Sequence, residues 1–353
     1  MPSTAAYARA AGRVARVCNE RGETRDLRLA VLGEIRRAVG FDAYAWLLTD
    51  PETEVGCAPL ADVPCLPELP RLIRLKYLTV VNRWTALDTP VALLRAATDE
   101  HPERSRIWRE LLANYGVSDV ASVVFRDRFG CWAFLDLWRI GAAARFTAAE
   151  AAFLSDVASP VTEALRRAQA STFDLVAPVT DRRGPVVLVL SAELEVRAQT
   201  AETEQYLRVL VPPEADRRPV PAGAYNVAAQ LLALEAGADE HPAWARVHLS
   251  GGAWVTLRAA RIGGEPGAGT EQDIAVSIEV TPTAERVGLF ARACGLTARE
   301  SELLRILVAG SDTRAIAAEM FLSEHTVQDH LKSVFAKTST RSRRNLLARA
   351  TGR

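Results

Sequence analysis

Apolar residues recur mostly every three or four positions through Leu27, Leu29, Val31, Leu32, Ile35 and Val39, so residues 1–39 are expected to be helical, closed by Gly40. The pattern then changes period. Phe41–Thr49 (FDAYAWLLT) reads as a strand with Tyr44 and Trp46 on one face, and Asp50-Pro51 is a turn signal. A loop rich in proline (Pro59, Pro64, Pro67, Pro70) leads to a helix over Leu72–Val81. A polar break at Asp99–Glu103 precedes a short helix, Ser105–Tyr115. Asp119–Phe125 and Cys131–Arg139 read as strands joined across Arg126–Gly130 in a hairpin. Thr147-x-x-Glu150 is a capping box that opens a helix running to about Gln169.

This order of helix, strand, helices, hairpin and closing helix resembles a GAF domain over about residues 20–170. The resemblance implies a small-molecule-sensing α/β sandwich, placed at 1–170. Five of the seven tryptophans (Trp46, Trp84, Trp108, Trp132, Trp138) lie here, which suits either an aromatic-lined pocket for an apolar ligand or core packing.

After a break at Ser171–Pro185, a second strand pattern starts with the apolar run Val186–Leu190 and a short strand at Glu193–Ala198. Helical stretches follow at Ala201–Leu210 and Tyr225–Glu235. Strands are expected at Ala243–Leu249, Ala253–Ala260 and Asp273–Glu279, the first two joined by Ser250-Gly251-Gly252. Two strands, helices and three antiparallel strands resemble a PAS domain, placed at 183–281. Thr200 stands where PAS domains often carry Asn, and no cofactor is expected. Gly263–Thr270 (GGEPGAGT) looks like a phosphate loop, but it lacks the Lys that would reach phosphates and no helix follows, so it reads as a hairpin loop.

Thr281-Pro282 ends this region, and residues 282–294 are expected to form a linker helix. Beyond it, Thr297-Ala298-Arg299-Glu300 is another capping box, with Leu303, Leu304, Leu307 and Val308 as the apolar face of its helix and Gly310 as its stop. Ser311 or Asp312 caps a second helix that buries Ile316, Ala317 and Met320. Ser323 caps a third, Ser323–Thr338, in which Val327, Leu331, Val334 and Phe335 face inward. Gln328, Asp329 and Lys332 share another face. Their groups suit base edges: Gln pairs with adenine, Asp accepts from the cytosine amino group and Lys donates to guanine. Lys337, Arg341, Arg343 and Arg344 gather beyond the helix, where they would meet phosphates.

Charge sharpens the picture. Formal net charge is zero, yet residues 285–353 hold twelve Lys/Arg against seven Asp/Glu, so a basic end follows an acidic body and a polyanion partner is expected for the end only. The five cysteines are odd in number, widely spaced and without a CxxC. With no signal peptide and no apolar run near the ~20 residues of a membrane span, a cytoplasmic chain with no membrane association is expected.

The C-terminal stretch resembles the LuxR-type (NarL/FixJ-like) helix-turn-helix, placed at 295–353. The matching residues are Leu296-Thr297, Arg299-Glu300, Leu304, Gly310, Ile316-Ala317, Leu322-Ser323, Thr326-Val327, His330-Leu331, Lys337, Arg341, Arg343 and Leu346. The resemblance implies a third helix in the major groove of double-stranded DNA, with Gln328, Asp329 and Lys332 base-facing and Thr326, Lys337 and Arg341 phosphate-facing. It also implies a homodimer, with the fourth helix (Arg343–Ala350) often serving dimerisation. Thr338, Ser339 and Thr340 depart from the family's Leu, Gly and Val, which loosens that last implication.

The expected fold is therefore α+β and multi-domain: a GAF-like α/β sandwich, a PAS-like antiparallel sheet with helices, and a C-terminal all-α four-helix helix-turn-helix domain. The front order does not fit a phosphoacceptor receiver domain, and the Trp-x-x-x-Tyr and Asp-Pro pattern of autoinducer-binding domains is not reproduced. No GxSxG occurs and the five His residues do not cluster at metal-ligand spacing, so neither an enzyme nor a metal site is expected. A transcriptional regulator with a small-molecule effector in its GAF-like or PAS-like domain is the leading expectation. The alternative is a redox or small-molecule sensor that signals to a protein partner, with the C-terminal helices used for assembly, motivated by the Trp-rich front and Cys57, Cys65 and Cys131.

Overall fold

In the computed structural model, residues 4–352 are described except 21, 142–143, 175–185, 204–206, 208–220, 250–252 and 264–271. The single helical stretch expected over 1–39 is two helices, α1 (Thr4–Asn19) and α2 (Thr24–Ala38). Each has its own apolar stripe, Ala10, Val14 and Cys18 on α1 and Val31, Leu32 and Ile35 on α2. A break between them lets the helices pack together, with Arg13 Nε 2.8 Å from Glu34.

β1 (Ala43–Thr49) follows as expected. β2 (Gly56–Asp62) does not: it lies in the proline-rich stretch read as loop and pairs antiparallel with β1. It is an edge strand, where Pro59 can sit without breaking a central ladder. α3 (Leu69–Leu78) carries Pro70 in its first turn, the helical position that needs no donor. β3 (Val91–Leu93) and α4 (Leu94–Ala97), too short to show a period, were not legible. The helix expected over 105–115 is α5 (Arg106–Glu110) and a 3-10 turn, Leu112–Tyr115, closed by Gly116 at φ 68°. β4 (Val117–Asp127) and β5 (Gly130–Ile140) form the expected hairpin with longer arms. α6 (Ala148–Ser171) opens on the expected capping box: Thr147 N donates to Glu150 at 2.8 Å, and Glu150 N to the Thr147 hydroxyl at 3.3 Å.

The first sheet runs β2-β1-β5-β4-β3 with antiparallel neighbours. Its hairpin strands are buried on both faces, and Trp46, Trp132 and Trp138 are all at most 2% exposed. Trp46 stacks on Phe125 at 5.3 Å and Trp84 on Phe134 at 4.7 Å, so much of the tryptophan content is packing.

The second sheet is built from β6 (Val187–Leu190), β7 (Val196–Gln199), β8 (Trp244–His248), β9 (Trp254–Arg261) and β10 (Ile274–Val280), with α7 (Ala222–Glu235) between β7 and β8. Its order, β7-β6-β10-β9-β8, repeats that of the first sheet: in both, the first and last strands are central neighbours. The turn expected at 250–252, most of 201–210 and the glycine-rich stretch from 264 lie outside the described residues. Asp50, just after β1, meets Arg246 of β8 in a buried pair at 2.6 and 2.8 Å. Arg83 similarly meets Asp239 at 2.7 Å.

The C-terminal part is all helical: α8 (Thr283–Ala293), α9 (Ala298–Val308), α10 (Thr313–Glu319), α11 (Glu324–Lys337) and α12 (Arg343–Thr351). The α+β expectation holds, with two sheets flanked by helices ahead of a helical end. The chain divides into two compact units. One is Met1–Leu165, Arg182–Val247 and Thr256–Glu279; the other is Arg166–Asp181, His248–Val255 and Val280–Arg353. Among the described residues no helix is long and apolar enough to cross a membrane.

Candidate nucleic-acid interface

Side-chain caps set the starts of α9 to α12. Thr297 and Glu300 form the reciprocal capping box of α9, and the Asp312 carboxylate accepts from Ala315 N at 2.8 Å. Ser323 caps α11, accepting from Thr326 N at 3.1 Å, and Ser342 caps α12, accepting from Asn345 N at 3.2 Å. Each satisfies donors that a helix start would otherwise leave open. Between α10 and α11 the chain turns through Phe321, at φ 56° and 95% exposed.

Val327, Leu331 and Val334 of α11 are fully buried, and the helix rests on α9 and α10. Phe335 is only half-buried. The opposite side presents Gln328, Asp329 and Lys332, all exposed. Lys332 Nζ lies 3.0 Å from Asp329, with His325 Nε2 at 3.6 Å on the other side. Donation from Lys332 holds the Asp329 carboxyl below its ordinary range, so it stays an acceptor. Gln328 Nε2 sits 3.5 Å from the Thr313 hydroxyl at the start of α10, and Arg343 donates to that same hydroxyl. Gln328, Arg343 and the α10 N-terminus are thereby neighbours.

The phosphate-side expectations separate. Thr326 shares a hydrogen bond of 2.8 Å with Ser323 and is half-buried at the N-terminus of α11. Arg341 and Arg344 are exposed, and their side chains have no hydrogen bond or ion pair among the described residues. Lys337 is engaged: its Nζ donates to Glu300 at 2.6 Å. Glu300 is 3% exposed and also accepts from Ser333 at 2.6 Å and Thr297 N at 2.7 Å. Burial alone would raise its pKa, but the bonds from Lys337, Ser333 and Thr297 bring it down to about 2. Sequence reasoning had Glu300 only as a cap; that it also anchors Lys337, 37 positions away, leaves no local signal.

The departure at Thr338–Thr340 has a definite structure. The hydroxyls of Thr338 and Thr340 are buried 2.9 Å apart, and Thr338 also donates to Val334 O at 2.7 Å. Ser339 takes a left-handed φ of 52°, the conformation that glycine adopts most readily. Arg349 of α12 donates to Thr338 O, tying the last helix to this turn.

The family model for bacterial regulatory proteins of the luxR family matches residues 295–350. Residues 295–350 are a luxR-family helix-turn-helix domain. Spore germination protein GerE of Bacillus subtilis (strain 168) is 40% identical over 48 residues, 14% of this chain. The chain spans 65% of that relative's length. Among solved structures, Escherichia coli SdiA is 13% identical with a TM-score of 0.35, covering 98% of each chain. A bacteriophytochrome from R. palustris is 12% identical with a TM-score of 0.35, covering 83% of this chain and 76% of that one. Scores this low carry no argument about the region ahead of the LuxR-type domain.

All five cysteines are free and buried, and burial pushes the thiols of Cys57 to about 12 and Cys65 to about 11, and that of Cys131 higher still. Thiols so protonated and enclosed are poor redox sensors. Among the described residues, no group of three His, Cys, Asp or Glu could hold a metal.

Proposed function

We propose that this protein is a cytoplasmic, sequence-specific regulator of transcription that reads double-stranded DNA through α11. It acts as a homodimer on two-fold sites and is governed by the sheet-bearing region ahead of it. The observation that carries this reading is the exposed row Gln328, Asp329 and Lys332 on a helix whose other side is seated by Val327, Leu331 and Val334, within the luxR-family match. Gln328, Asp329 and Lys332 would meet base edges in the major groove. Thr326, Arg341 and Arg343 would meet phosphates, and Lys337 could do so only in competition with Glu300. Residues 1–170 and 183–281 are read as the GAF-like and PAS-like sensors, and 282–294 as the link to the reader at 295–353. An effector bound better by one sensor arrangement shifts the population of DNA-competent dimers. No enzymatic step, cofactor or membrane enters this reading.

Two variants test the assigned roles by fluorescence anisotropy on a panel of duplexes across salt concentrations. Lys332→Ala is expected to change which duplex binds best. Arg341→Ala is expected to weaken every duplex alike and to reduce the slope of log affinity against log salt by about 1. Parental behaviour from both variants on every duplex would rule out base reading by Lys332 and phosphate contact by Arg341.

A further inference from the structure

The first unit contains a cavity of about 210 Å³, the room of about seven waters at ~30 Å³ each. Its wall is mostly apolar, drawn from β1, β2, β5 and α3. One side is closed from farther along the chain by Ala222 and Asn226 of α7, a helix packed against α3 and β2.

Two charged groups face this space, and they are paired. Lys76 Nζ lies 2.8 Å from Asp136 and 4.3 Å from the centre of the Trp84 ring. The other Asp136 oxygen accepts from Ser122 at 2.7 Å and from Trp84 Nε1 at 3.1 Å. The pair is neutral, so nothing on this wall favours a charged guest.

Other polar groups on the wall are not satisfied. Asn226 is 0% exposed; its Nδ2 donates to Ala222 O at 2.9 Å, while its Oδ1 has no partner. Trp138, 2% exposed, has an unpartnered Nε1. Tyr77 Oη accepts from Gly56 N at 2.9 Å, and burial keeps the phenol protonated. A Cβ on Gly56 would come within 3.2 Å of that oxygen and 3.4 Å of Asn226 Oδ1, so these two groups are near neighbours. Buried polar atoms without partners are costly, and an unpaired acceptor and an unpaired donor on two residues that line this apolar wall define what would satisfy them.

We infer that this cavity binds an uncharged, mainly apolar small molecule carrying one hydroxyl or amide group, which donates to Asn226 Oδ1 and accepts from Trp138 or Tyr77. This rests on the reading of the first unit as the sensing part and names the guest it senses. Because Asn226 belongs to α7 and Trp138 to β5, the guest touches a strand of the first sheet and the helix between β7 and β8, and its binding stabilises α7 on α3. That is the differential interaction a sensor needs.

The test is equilibrium dialysis of the full chain, without DNA, against 2-naphthol, naphthalene and 2-naphthoate. 2-Naphthol is expected to bind once per chain and at least tenfold more tightly than 2-naphthoate. Asn226→Ala is expected to weaken 2-naphthol about tenfold and leave naphthalene unchanged, which shows the cavity is intact. Ala61→Phe, which fills the space from β2, should abolish retention of both. Equal binding of naphthol and naphthoate, an Asn226→Ala variant that holds naphthol like the parent, or a cavity that retains none of the probes and so holds solvent only, would each overturn the inference. If Asn226→Ala also loses naphthalene, the parental preference and the Ala61→Phe result decide. DNA is absent throughout, so failure in this test leaves the reading of α11 standing.

Discussion

Replacing Arg246 by alanine is expected to destabilise the first unit by about 3–5 kcal/mol, the range for stripping one partner from a buried ion pair. Arg246 and Asp50 have side chains 1% and 0% exposed, bound bidentately at 2.6 and 2.8 Å, with Glu52 adding a contact at 3.0 Å. In the variant Asp50 keeps backbone donors at Glu52 and residue 246, but its charge loses the guanidinium in a place water does not reach. Truncation also removes the ring contact between Arg246 and Trp244. Urea unfolding followed by tryptophan fluorescence measures the change. A loss below about 1 kcal/mol would mean that the pair is solvated and does not fasten Asp50 to the second sheet.

Glu300→Ala is expected to cost the second unit about 2–4 kcal/mol, combining a lost helix cap with lost bonds to a charged acceptor. The carboxylate accepts from Thr297 N, Ser333 and Lys337, so one truncation frees the start of α9 and two side chains of α11. The same group fixes a pH dependence. Its pKa is about 2 when folded against an ordinary 4.5, so its contribution is fully present above about 4.5 and is lost as pH falls toward 2. Protection factors at amides of α9 and α11, taken relative to the intrinsic exchange rate at each pH, should therefore fall in the parent on acidification through that window. In Glu300→Gln, which starts lower, the change should be flatter. Identical pH profiles would show that Glu300 does not link these helices.

How much of this was legible depended on whether the signal was local. The starts of α9, α10 and α11 followed from Thr297, the pair Ser311-Asp312 (of which Asp312 is the cap) and Ser323, because a cap acts within three residues. Burial of Val327, Leu331 and Val334 followed from helical spacing. The β4–β5 hairpin was read from two dense apolar runs around a polar turn. β2 was missed because Pro59 argues against a strand unless the strand is known to be an edge, and that is a property of the sheet. The break between α1 and α2 was hidden because both helices have the same period. Lys337 was read as free for phosphate, and its pairing with Glu300 is a tertiary fact. The cavity was only half visible. Aromatic content hinted at it, but Asn226, which gives it an unsatisfied acceptor, comes from a helix well over a hundred residues beyond the β1 and β2 strands it faces.

Whether α11 selects DNA by sequence is tested most directly by repeated selection of duplexes from a random library with the purified full chain. The expected result is enrichment of a two-fold motif whose affinity falls steeply with salt, and a changed motif when Gln328 and Lys332 are both alanine. A library that stays random through successive rounds at low salt, with binding that ignores sequence, would contradict sequence reading by α11.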